Sequence, residues 1–101
     1  MTDKREIIKK AISAIEITSE LFYQQNIQEG YAQLEQTLAI LSGLADLLYA
    51  EDADSVDCQI DSSRFSAILS DALGALEQRD TVLLSDILQY DLKELLADSL
   101  Q

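Results

Sequence analysis

The residues best placed to do chemistry are carboxylates. The segment Asp52-Ala53-Asp54-Ser55-Val56-Asp57 opens as a calcium-binding loop does, with acids at its first and third positions. Such a loop also needs an oxygen ligand at the fifth position, a glycine at the sixth for the sharp turn, and a bidentate glutamate at the twelfth. Here those places hold Val56, Asp57 and Ser63, so the segment reads as a solvated acidic linker. Di-metal sites inside helical bundles draw on Glu-x-x-His pairs. The chain has no histidine, which also removes the commonest general base. Cys58 is the one cysteine, so an intrachain disulfide and a Cys-x-x-Cys pair are excluded. Its acidic neighbours disfavour the thiolate that a nucleophile would need. The three glycines stand far apart and cannot form a phosphate-cradling loop. No catalytic, cofactor-binding or metal-binding residues are therefore assigned, and the expectation is a protein that is not an enzyme.

The charge balance narrows the partners. Nineteen acidic residues against seven basic ones give a formal charge of −12. Such a surface is repelled by the phosphates of nucleic acid and by anionic lipid. Four of the basic residues, Lys4, Arg5, Lys9 and Lys10, gather at the start of the first expected helix. That is too small a patch for nucleic acid, but it could dock on an acidic region of a partner or of a second copy. The first residues are charged, and no apolar run of signal-peptide or membrane-spanning length is present, which points to a cytoplasmic protein.

The elements that position these groups are helices. There is no proline, and β-branched residues do not alternate as they do in strands. Four helices are expected, over about residues 4–25, 28–50, 63–78 and 81–98, joined by short links and by one longer acidic linker over 51–62. Asp3 with Glu6 resembles a capping box, Asn26 suits a left-handed helix stop, and Asp61 and Asp80 suit N-caps. The architecture that follows is all-α: a single domain over 1–101, folded as a mostly antiparallel four-helix bundle. Its expected core is Ile8, Ile12, Ile15, Phe22, Leu34, Leu38, Leu41, Phe65, Leu69, Leu73, Leu76, Leu84 and Leu88.

The second helix is unusual in being apolar around more than half of its circumference. Such a helix is either central in its bundle or covered by another chain. Gly43 in its middle suggests a close helix approach. Ile40 and Leu47, seven residues apart, lie within about 20° of each other and form a second stripe, with Leu44 at its edge. Tyr31 and Tyr49 flank it. The expected interface is thus Tyr31, Ile40, Leu44, Leu47 and Tyr49. A lid formed by the linker, through Val56 and Ile60, is the alternative cover.

The stretch Asn26-Ile27-Gln28-Glu29-Gly30-Tyr31-Ala32-Gln33-Leu34, with Ala75-Leu76-Glu77-Gln78-Arg79-Asp80 and Leu83 to Leu92, resembles small acidic helical proteins of unknown role from Firmicutes-type bacteria. The pattern from Asp80 to Leu92 is also distantly similar to the C-terminal helices of four-helix flagellin export chaperones. The resemblance implies a bundle that holds another protein's helix. The expected function is a non-catalytic protein-interaction module, an adaptor or export-chaperone-like bundle. A structural homo-oligomer, for example a homodimer, is the alternative.

Overall fold

The computed structural model describes residues 4–50 and 60–100. Helix α1 spans Lys4–Tyr23, α2 spans Ile27–Ala50 and α3 spans Ser62–Glu77. The fourth helix has three consecutive parts: α4 (Thr81–Asp86), a π-helical stretch (Ile87–Leu92) and α5 (Lys93–Ser99). The chain is an all-α four-helix bundle, and no strand occurs among the described residues. Most of the acidic linker, with Val56 and Cys58, lies outside the described residues.

The helix stops follow from local chemistry. At the end of α1, Gln25 takes a left-handed φ of 64°. The Gln25 N–H donates to the Phe22 carbonyl at 3.0 Å and the Asn26 N–H to the Leu21 carbonyl at 2.9 Å, which is the Schellman arrangement. Asn26, expected as the left-handed residue, instead begins α2, its carbonyl accepting the Gly30 N–H at 2.8 Å. With only a three-residue link, the turn falls one residue earlier and frees Asn26 for the next helix. The same stop recurs at Arg79, with φ 56°. Asp61 caps α3, Oδ1 accepting from the Ser63 and Arg64 N–H groups at 3.0 and 3.2 Å. Asp80 caps α4 by accepting from Leu83 N–H at 3.0 Å.

The π-helical stretch has a cause in the spacing of the leucines. Leu84, Leu88, Leu92 and Leu96 are all buried, at 0–2% exposure. At about 100° per residue, three steps of four residues would drift about 120° around an α-helix and carry Leu96 off the core. One wider turn absorbs that drift. The backbone stays in the right-handed helical region across both junctions, so the helix is underwound rather than broken.

Helix α1 is central. It pairs most extensively with α2 on one side and meets all three parts of the fourth helix on the other, while α2 touches α3 only narrowly. The apolar α2 is therefore peripheral. Across the α1–α2 seam, Thr18 and Thr37 are fully buried with their hydroxyls 2.8 Å apart. One hydroxyl donates its single proton to the other, whose own proton goes to a carbonyl of its helix, from Thr18 Oγ1 to Ala14 at 2.8 Å or from Thr37 Oγ1 to Gln33 at 2.9 Å. Each buried hydroxyl is thereby satisfied, and the pair fixes the register of the two helices.

Two expectations about packing are corrected. Leu73 is 48% exposed. The buried stripe of α3 is Phe65, Ile68, Ala72 and Ala75, and its alanines bring the helix close to its neighbours, which turns Leu73 out to the flank. Gly43 serves no close approach, because a Cβ built there meets nothing within 4 Å. Gly30 is the glycine that does: a Cβ there would lie 2.7 Å from Cδ1 and Cε1 of Phe22.

Candidate functional site

The α1–α2 hairpin leaves an open groove of about 560 Å³ on its outer side. Its floor is apolar: Ala14 and Ile17 from α1, Ile40 from α2. Ile17 is 50% exposed, whereas Ile40 is partly buried against the core. Glu6, Lys9, Lys10, Ser13 and Gln33 form the rim. The rim thus carries two ammonium groups against one carboxylate, a local reversal of the chain's acidic charge. What it offers is an apolar trough with a basic edge.

The residues singled out on α2 separate in the structure. Ile40 lines the groove, and Leu47 is partly buried beyond it. Leu44 is fully buried in the chain's own core, so it presents nothing to a second molecule. Tyr31 faces inward at the hairpin end, its ring edge-on to Phe22 with centroids 5.3 Å apart and planes at 78°. The side chain of Tyr49 lies outside the described residues. Ile60 packs partly buried against the core, while the rest of the lid that would cover the α2 stripe lies outside the described residues. Helical periodicity places Ile17 only at the flank of the apolar face of α1.

A second feature lies where α1 meets the π-helical stretch. Glu16, Ser19, Glu20 and Tyr23 from α1, with Gln89 and Lys93 from the fourth helix, line a polar pocket of about 300 Å³. Lys93 Nζ pairs with Glu16 Oε1 at 3.1 Å. Both groups are substantially exposed, so the pair contributes under about 1 kcal/mol. Tyr23 Oη donates to Asp86 Oδ1 at 2.6 Å. Ser19 is 1% exposed, and its Oγ and the Oε1 of Gln89 are buried without a hydrogen-bond partner. Nothing in the sequence flags this meeting, because Ser19 and Gln89 come from distant helices and the wide π turn sets the angle of Gln89. Among the described residues no group of three or more acidic or sulfur side chains could hold a metal ion, and no helix is long and apolar enough to cross a membrane.

The Tyr23 phenol is pushed up to about 12 by partial burial first, then by the hydrogen bond to Asp86 and the nearby charges of Asp86 and Tyr90. The folded state therefore holds this proton more tightly than the unfolded chain. The resulting stability is complete below pH 10 and is lost as pH rises from about 10 towards 12. In an alkaline titration followed by tyrosinate absorbance, one of the four tyrosines should ionise last. Tyr23→Phe should remove that late step. A titration with no late step in the parent protein would show that the Asp86 hydrogen bond does not hold in solution.

The family model described as Domain of unknown function (DUF8042) matches residues 1–100, and the chain belongs to that family. No curated protein and no solved structure matches it.

Proposed function

We propose that this DUF8042 member is a non-catalytic protein-interaction module, an adaptor or export-chaperone-like bundle of the bacterial cytoplasm, and that its occupant is an amphipathic helix of a partner protein. The observation that carries the reading is the groove between α1 and α2, with Ile17 half exposed on its floor and Lys9 and Lys10 on its edge. A helix laid in a groove buries its apolar stripe at i, i+3, i+4 and i+7. The basic edge selects a stripe flanked by carboxylates, since like charges across an interface cost several kcal/mol in specificity (about that order). The distant likeness to flagellin export chaperones, which hold a client's helix, agrees with this occupant. The charge of −12 argues against nucleic acid and anionic membrane as partners.

The test is an Ile17→Glu, Ile40→Glu double variant compared with the parent by light scattering and by capture of partners from the native cell. Loss of one specific partner, with a folded and monomeric variant, is the expected result. A parent that only self-associates, through the same two residues, would replace this reading with a structural homodimer. Unchanged partners and unchanged mass would remove the groove from consideration.

A further inference from the structure

We infer that the end of the bundle formed by the α1–α2 and α3–α4 turns docks a partner protein's segment in which large apolar side chains are flanked by lysine or arginine. The site shares no residue with the α1–α2 groove. Its occupant has the opposite charge to the helix proposed for that groove.

The apolar part of the site is a cluster, not a scatter. Seven large apolar side chains are exposed among the described residues, and four of them, Tyr23, Ile27, Val82 and Tyr90, gather at this end. Tyr23, Ile27 and Val82 line one open cleft of about 420 Å³ together with the buried Phe22. Val82, Asp86 and Tyr90 follow one another at four-residue steps on the fourth helix, as Leu84 to Leu96 do, so the wide turn keeps them on one face too. Tyr23 reaches across to that face. It donates to Asp86 at 2.6 Å and lies close enough to Tyr90 to feel its charge. Val82 and Tyr90 are 64% and 61% exposed. Single exposed apolar residues need no explanation, whereas a contiguous patch marks an interaction surface.

The rest of this chain is too far away to cover the patch. Arg5 Nη2 donates to the Leu100 carbonyl at 3.2 Å, so the start of α1 and the end of the fourth helix lie together at the other end of the bundle. Residues 1–3 and 101 adjoin that far end. Residues 51–59 leave from Ala50 and return at Ile60, also at the far end. Half of that segment reaches at most about 16 Å. The length of α3 alone, Ser62–Glu77, is roughly 24 Å.

Charge decides the occupant. Over residues 20–29 and 77–86 the sequence holds Glu20, Glu29, Glu77, Asp80 and Asp86 against Arg79 alone. Asp86 accepts from the Tyr23 hydroxyl and Asp80 from the Leu83 N–H, and neither is in an ion pair among the described residues. Lys93, one turn past Tyr90, is held by Glu16 at 3.1 Å. Two copies meeting face to face here would bring like charges together, which disfavours a second copy. A cationic segment meets no such repulsion. Its guanidinium or ammonium can lie on an exposed tyrosine ring and pair with Asp86 while a neighbouring apolar side chain enters the cleft.

The probe is the peptide acetyl-Lys-Arg-Leu-Trp-Leu-Arg-Lys-amide, titrated into the intact chain while amide resonances are followed by NMR. One control replaces every basic residue of the peptide by glutamate, and a second replaces its leucines and tryptophan by serine. Saturable shifts centred on Tyr23, Ile27, Val82 and Tyr90 are expected with the first peptide and with neither control. Val82→Ser and Tyr90→Ser should each weaken that binding about fivefold or more, as loss of an anchor contact does. Both positions are exposed, so the urea midpoint should stay near the parent's. Asp86→Asn should weaken binding about two- to fivefold, the worth of one exposed ion pair, and should lessen its dependence on salt. The Ile17→Glu, Ile40→Glu variant should bind no more weakly than the parent, which separates this site from the groove. Equal binding of the serine control would reduce the effect to general attraction by an acidic surface and overturn the proposal. So would equal binding of the glutamate control, shifts centred on Lys9, Ile17 and Ile40, or no saturable shift at all. Shifts at Tyr23, Val82 and Tyr90 that grow with protein concentration alone would replace the partner with a second copy.

Discussion

Leu44→Ala should cost about 2–5 kcal/mol of folding stability, and Leu73→Ala less than about 0.5 kcal/mol. Leu44 is 0% exposed and belongs to the main apolar cluster, whereas Leu73 is 48% exposed on the outer flank of α3. Truncating Leu44 removes buried methyl groups and leaves a cavity that α1 and α2, tied by the Thr18–Thr37 pair, cannot collapse to fill. A domain of this size has only about 5–15 kcal/mol in total, so the variant should unfold at a markedly lower urea concentration. Light scattering on the same two proteins completes the measurement. Were Leu44 part of a contact between molecules, its truncation would change the mass in solution and spare the isolated fold. Equal losses at Leu44 and Leu73 would mean that α3 is rotated relative to the packing described.

The same pair of leucines shows what could be read from the sequence. The helices were legible nearly to their ends, because Asp61 and Asp80 are capping residues with a free run of helix formers after them. Periodicity then placed Ile8, Ile15, Phe22, Leu34, Leu41, Phe65, Leu84 and Leu88 in the core, and all are buried, while Ile12, Leu38, Leu69 and Leu76, expected with them, are partly buried against it. It failed at Leu73, because α3 approaches its neighbours through Ala72 and Ala75, and hydrophobicity scales rank a leucine above an alanine whatever the distance between helices. The underwound turn did carry a signal: three successive four-residue steps from Leu84 to Leu96 do not fit about 3.6 residues per turn. The α1–α2 groove was half legible, through Ile40 but not through Leu44, since the width of an apolar arc does not say which part of it the neighbouring helix covers. The polar pocket was not legible at all. Ser19, Gln89 and Lys93 are ordinary surface residue types, and only the docking of the fourth helix on α1 brings them together.

Two glycines in one helix should respond to alanine with opposite signs. Gly43→Ala should stabilise the protein by about 0.5–1 kcal/mol, because the site is exposed, its φ is not left-handed, and alanine loses less backbone entropy in a helix. Gly30→Ala gains the same propensity term and should still lose about 1–3 kcal/mol net, the usual range for overpacking. Its Cβ would sit 2.7 Å from two ring carbons of Phe22 and 3.1 Å from a third. That ring is only 5% exposed and is held edge-on by Tyr31. To make room, the ring must leave its rotamer or the start of α2 must move away from α1, where the short Gln24–Asn26 link allows little travel. The two sources of loss can be separated in a double-mutant cycle. If the clash with the ring is the cause, Gly30→Ala should cost distinctly less in a Phe22→Leu background than in the parent, even though Phe22→Leu is itself destabilising. An equal cost in both backgrounds would place the strain in the backbone of the link, and a gain at both glycines would mean that the two helices do not approach this closely at Gly30.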